Sequence, residues 1–231
     1  DVSEARKVLS TKKAYEEAST ALKSFDESVD EIRKDAESML ASFKFDKAIQ
    51  KYDTISLLLR NQQINPRLLI KNLITVALVS EEQGFVKKTN QYHTEIEQIY
   101  QQENYQKNDI LYAVYLNNKA SLNSKQGSFD IGIKSFEEAL TIRRRLSQDD
   151  PENLINIAIL LKNIGTVYRR KNNFIKTNEF LSESYKITAE LSKQNPLLYE
   201  RDLISIIFSI GVFYQQQNKY EEAEKRYLEV N

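Results

Sequence analysis

Residues 165–174 read GTVYRRKNNF, and residues 211–220 read GVFYQQQNKY. Each stretch has a small residue, an aromatic three places on, an Asn-containing break, and then an aromatic that opens a new segment. The small residue, the break and the opening aromatic recur upstream. The small residues are Ala36, Ala77, Ala120, Gly165 and Gly211, stepping by 41, 43, 45 and 46. The opening aromatics are taken as Phe45, Phe85, Phe129, Phe174 and Tyr220, at gaps of 9, 8, 9, 9 and 9. Between them lie Gln83-Gly84, Gln126-Gly127-Ser128, Asn172-Asn173 and Asn218-Lys219, which carry the Gly and Asn that tolerate the left-handed end of a helix. The first block departs, with Ser42-Phe43-Lys44 in the turn. Tyr52, Tyr92, Phe136, Leu181 and Tyr227 follow the aromatics by seven, which is two helical turns and one face.

The prolines sit at one phase of this repeat. Pro66, Pro151 and Pro196 each follow Asn65, Asp150 or Asn195, and an Asx N-cap before Pro is a helix start. Asn108-Asp109 stands at the same place in the third block. Each unit therefore reads as helix A, tight turn, helix B, short loop. Helix A is expected near 66–82, 108–126, 151–171 and 196–217. Helix B is expected near 45–60, 85–102, 129–147, 174–193 and from 220 onward. The total is eleven or twelve antiparallel helices and no sheet.

Composition agrees. The 231 residues include 5 Gly and 3 Pro, where average usage gives roughly 16 and 12. That is too few turn formers for a many-stranded sandwich or barrel. It also lacks the clustered glycines of a dinucleotide-binding turn. Lys+Arg and Asp+Glu number 33 each, so no global field draws the chain to nucleic acid. No apolar run is long enough to insert in a membrane. The absence of Cys removes disulfides and zinc-thiolate sites. It leaves the compartment open, the cytoplasm being expected and the periplasm the alternative.

The blocks resemble tetratricopeptide repeats (TPR). Gly165-Thr-Val-Tyr168 and Gly211-Val-Phe-Tyr214 match the family's helix A pattern, and Phe45-Asp-Lys-Ala48 and Tyr220-Glu-Glu-Ala223 match its helix B opening. Leu116-Asn117-Asn118 before Ala120 is similar to the lead-in of the longer, kinesin-light-chain-like and bacterial repeats. The likeness covers 28–231 as about five hairpins, the last truncated. It is looser in the first two, where Phe43 fills the turn and Lys88 replaces the helix B Ala.

The resemblance implies an all-α, right-handed superhelical solenoid whose A helices line a concave groove. It implies a protein–protein interaction scaffold that holds a peptide or partner protein there. The implied groove positions are three and two before the small residue and one, four and five after it. In repeat 3 these are Asn117, Asn118, Ser121, Ser124 and Lys125. In repeat 4 they are Lys162, Asn163, Thr166, Arg169 and Arg170. In repeat 5 they are Phe208, Ser209, Val212, Gln215 and Gln216. The Asn residues would meet a peptide backbone, and the cations favour an acidic partner. An alternative is the sensor or regulatory arm of a larger enzyme or signalling protein.

Catalysis within the chain is not expected, and neither is a cofactor or metal. His93 with Glu97 at i, i+4 falls short of three protein ligands and reads as an exposed helical His. Adjacent carboxylates such as Glu137-Glu138 point apart on a helix. Arg143-Arg144-Arg145 and Arg169-Arg170-Lys171 end helices, where the macrodipole favours cations.

Two ends complete the reading. Val8, Thr11, Tyr15, Ala18, Leu22, Phe25, Val29, Ile32, Ala36 and Met39 form a heptad-like stripe. Either one helix spans 3–42, or 1–27 is a separate N-terminal helix, coiled-coil-like or a degenerate repeat (Tyr15-Glu-Glu-Ala18 copies Tyr220-Glu-Glu-Ala223). A break at Asp26-Glu27-Ser28 is the expectation. Repeat arrays need a polar terminal cap, so the native chain is expected to continue past Asn231, and an opening Asp suggests an excised or processed piece. Self-association through the N-terminal helix or an uncapped C-terminus would follow.

Overall fold

The computed structural model describes residues 23–62, 66–102, 109–146 and 150–228. Among the described residues there are ten helices and no strand. The first, α1, covers 23–41. Then come α2 (Phe45–Gln62), α3 (Pro66–Glu82), α4 (Val86–Gln102), α5 (Ile110–Lys125), α6 (Phe129–Arg145), α7 (Pro151–Arg170), α8 (Phe174–Gln194), α9 (Pro196–Gln216) and α10 (Tyr220–Leu228). Any eleventh helix would fall on 1–22, outside the described residues. The break expected at 26–28 is absent. α1 runs through it, and Ser28 Oγ donates to Ser24 O at 2.9 Å inside the helix.

The chain divides into two compact units, 1–104 and 105–231. In the first, α3 packs on α2 and α4. In the second, each helix packs on its neighbours in sequence, and α7 also touches α5 and α9. The second unit is thus a layer of A helices (α5, α7, α9) backed by α6, α8 and α10.

One backbone device closes all five hairpins. Phe43, Gly84, Gly127, Asn172 and Asn218 have φ of 57, 75, 85, 58 and 61°, and each lies seven residues after its small residue. The N–H of the next residue (Lys44, Phe85, Ser128, Asn173, Lys219) reaches the carbonyl five back at 2.8–3.0 Å. The left-handed residue's own N–H reaches the carbonyl three back at 3.0–3.2 Å. These are Schellman caps, which satisfy the orphan carbonyls of helix A.

The caps correct the register of repeat 2. Phe85 stands where Lys44, Ser128, Asn173 and Lys219 stand, so Val86, not Phe85, opens α4. All five gaps from small residue to helix opening are then nine. The residue three into helix B is Thr89 rather than Lys88, matching buried Ala48, Gly132, Thr177 and Ala223. The residue seven in is His93 rather than Tyr92. His93 is accordingly only 6% exposed, which overturns the expectation of a surface imidazole. It occupies the position of buried Tyr52, Phe136 and Leu181 and of half-buried Tyr227.

The start signals hold in part. Asp150 accepts from Glu152 N ahead of Pro151, and Asp109 accepts from Tyr112 N. Asn195 precedes Pro196 but makes no side-chain cap bond. Asn65 and Asn108 lie outside the described residues.

Candidate protein-binding wall

The expected groove residues of repeats 3 to 5 lie on α5, α7 and α9, and the second unit joins most of them into a network. Asn163 Nδ2 donates to Asn117 Oδ1 at 3.1 Å, and Asn117 Nδ2 donates to Asn118 Oδ1 at 3.2 Å. This amide relay crosses from α7 to α5. Asn118 is buried, while Asn117 and Asn163 are half-buried. Lys162 Nζ donates to Ser205 Oγ of α9 at 2.9 Å. Arg169 Nη1 donates to Gln216 Oε1 of α9 at 3.0 Å, and Gln216 Nε2 donates to Asn172 Oδ1 at 2.8 Å.

Arg170 points the other way. Its Nη1 donates to Ser124 O of α5 at 2.9 Å, and its guanidinium lies 4.9 Å from the Phe129 ring centre. Ser124 O already accepts from Gly127 N in the α5 cap, so Arg170 uses the second lone pair. Gln216, at the same position one repeat on, reaches Arg169 O at 3.4 Å. A side chain five past the small residue thus ties to the carbonyl four past it in the preceding repeat. That tie could not be read from the sequence, because it needs the neighbour's backbone.

Several expected ligand contacts face inward or are spent locally. Ser124 is buried and bonds Ala120 O. Thr166 and Ser209 hydroxyls bond the carbonyls of Lys162 and Ser205 in their own helices, both at 2.9 Å. Gln215 Oε1 accepts from Tyr227 OH at 3.3 Å. Phe208 pairs with Tyr227 at 5.6 Å between ring centres. Lys125 is exposed and Ser121 and Val212 are half-buried on the same layer.

Burial holds the Lys162 ammonium below the usual lysine range, and the Asp202 carboxylate pulls it back up. Burial, followed by the charge of Arg170, holds the Arg169 guanidinium below its usual range. The hydrogen-bond partners of Lys162, Arg169 and Arg170 are a hydroxyl, an amide and a carbonyl, all neutral. By contrast the B helices pair acid with base: Arg60 with Glu95 at 2.6 Å, Arg144 with Glu183 at 2.6 Å, and Lys88 with Asp53 at 2.7 Å.

Among the described residues no three His, Cys, Asp or Glu side chains converge as a metal site, and no helix is long and apolar enough to cross a membrane.

The tetratricopeptide repeat family model matches residues 113–152, from within α5 through its Schellman turn and α6 to the start of α7. The chain carries a tetratricopeptide repeat. Solved structures extend the likeness of fold across the chain. BtubC (BKLC) from P. vanneervenii is 18% identical, with a TM-score of 0.72 over 90% of this chain and 87% of that one. A putative kinesin light chain from Podosopora anserina with nearly identical TPR-like repeats is 12% identical, with a TM-score of 0.66 over 87% and 92%. A STAND (Signal Transduction ATPase with Numerous Domains) protein with a tetratricopeptide repeat sensor, from Pyrococcus horikoshii, is 18% identical, with a TM-score of 0.66 over 86% of this chain and 28% of that one. No curated protein sequence matches the chain. Among the described residues the fold is all-α, built of antiparallel helical hairpins like those of the TPR structures.

Proposed function

We propose that this TPR chain is a protein-interaction scaffold whose second unit holds an acidic segment of a partner protein against α5, α7 and α9. The observation that carries the reading is the set of neutral partners around Lys162, Arg169 and Arg170. These bonds fix the cations in place without cancelling their charge. An incoming carboxylate meets preorganised donors, and charge-assisted bonds of this kind are the stronger class. The amide relay does not use Asn163 Oδ1 or Asn118 Nδ2, an acceptor and a donor suited to a peptide backbone.

Arg170 is both tie and cation, so the test uses its neighbours. Lys162→Glu with Arg169→Glu, in a chain whose helicity is unchanged, is expected to abolish retention of partners that the unaltered chain recovers. Retention at low salt by the double variant would move binding to another surface. A sensor arm of a larger protein has one support, the STAND protein of which this chain spans 28%. It would use the same wall, and a longer reading frame encoding an ATPase beside these repeats would favour it.

A further inference from the structure

Arg170 Nη1 reaches Ser124 O, Lys171 pairs with Asp130, and Gln216 Nε2 reaches Asn172 Oδ1. These ties set the hairpin turns of the second unit side by side along one edge. At the first two turns, the opening of the B helix turns an aliphatic side chain to solvent. Ile131 of α6 is 57% exposed and Ile175 of α8 is 85% exposed. Single exposed apolar residues are ordinary, but these two stand in an excess of positive charge. Residues 125–134 and 170–176 carry Lys125, Lys134, Arg170, Lys171 and Lys176 against one acid, Asp130, which Lys171 pairs. Arg170 and Lys176 rest on neutral groups, the first on the Ser124 carbonyl and the Phe129 ring, the second on the Tyr168 hydroxyl and ring. The turn backbone is already spent. The N–H groups of Gly127, Ser128, Asn172 and Asn173 bond carbonyls of α5 and α7 at 2.9–3.2 Å, so this edge can leave water without stranding those donors.

We propose that this turn edge docks on an anionic lipid surface, with Ile131 and Ile175 entering the headgroup boundary while Lys125, Lys134, Arg170 and Lys176 meet the lipid charge. Such attachment lies on the bilayer and needs no spanning helix. Apolar contact and surface charge are each weak and act together, so the attachment is reversible. Aliphatic tips favour lipid over nucleic acid, because bases are held by stacking on planar groups, which Ile lacks. A lipid surface also requires no matching shape, and spent turn donors offer little to a peptide backbone. Glu137 and Glu179, farther along α6 and α8, lie close enough to act on Lys176 and hold the attraction down. The surface uses the openings of B helices and not Lys162 or Arg169, so it is separate from the wall described above.

The test floats the full chain with vesicles of phosphatidylcholine, with or without phosphatidylserine. Recovery only with the serine lipid is expected. Ile131→Ser with Ile175→Ser should weaken that binding by about tenfold or more and leave thermal melting little changed. Ile175→Ser alone, at the more exposed site, keeps the test readable if the double variant is less stable. Lys134→Glu should weaken binding by about fivefold or more, and Glu179→Gln should strengthen it. Equal recovery with both lipids, or none up to about 1 mM lipid, overturns the proposal. So does full vesicle binding by the isoleucine variants. If polyuridylate then also binds the unaltered chain and is lost in Lys134→Glu, the edge is a general polyanion site and the lipid assignment falls.

Discussion

Phe43 is 81% exposed and sits at φ 57°, where the other four hairpins use Gly84, Gly127, Asn172 and Asn218. A left-handed backbone costs a residue with a β-carbon roughly 1–2 kcal/mol, and its contact here is an edge-on ring pair with Phe45 at 6.1 Å. Replacing Phe43 by Asn is expected to raise stability by about 0.5–1 kcal/mol. A lower melting temperature would mean the ring pair outweighs the strain. The small helix A positions push the other way. A Cβ on Gly165 would lie 3.0 Å from Leu181 Cγ, and one on Gly211 would overlap the Tyr227 ring. Gly165→Leu and Gly211→Leu should each cost about 1–3 kcal/mol or more by overpacking, read as a drop in urea midpoint. Unchanged midpoints for both would contradict these close approaches. These glycines were legible in the sequence because a close crossing tolerates few residue types. His93 was not legible. Phe85 beside Val86 gave two candidate helix openings, and only the backbone bond from Phe85 N to Ser80 O decides between them.

At the scale of helices, two kinds of tie join neighbouring repeats, and their magnitudes differ. Arg144–Glu183 and Arg60–Glu95 link successive B helices between half-exposed side chains. Such pairs are worth about 0–1 kcal/mol, so Glu95→Gln should lower stability by less than 1 kcal/mol. Arg170 instead bonds a helix-terminal carbonyl and covers an aromatic ring. Arg170→Ala is expected to cost about 1 kcal/mol and to speed amide exchange at 126–129, the turn that Arg170 holds. Unaltered exchange there would show that the cap of α5 is self-sufficient. Helix order and turn positions were readable because they are set by local chemistry, a small residue and a left-handed residue seven apart. Which A helix each cation leans on was not readable. Arg169 and Arg170 are adjacent in sequence yet bind α9 and α5, a division fixed by helical phase and by where each neighbour presents an oxygen.

Over the whole chain, cations and acids balance at 33 each, yet Lys162, Arg169 and Arg170 face neutral partners on one layer. Local field and net charge are separate quantities. At a Debye length of about 8–10 Å, distant carboxylates on the B helices do little to cancel charge on α7, while an acid seated against α7 feels the nearby cations directly. The same screening sets the response to salt. Raising ionic strength from about 50 to 500 mM shortens the Debye length severalfold, and should weaken an acidic ligand markedly while leaving stability nearly constant. Stability rests on buried apolar residues such as Ile96, Phe136, Leu161 and Ile206, and burial of that kind is not screened. The measurement is a pair of salt series on one sample, anisotropy of a fluorescein-labelled Glu-containing Gly/Ser peptide and thermal melting of the chain. Affinity that is flat with salt would assign binding to apolar contact, with Phe208, 58% exposed on α9, as the side chain to replace first. Affinity and melting temperature falling together would mean that the cation ties hold the fold rather than a partner.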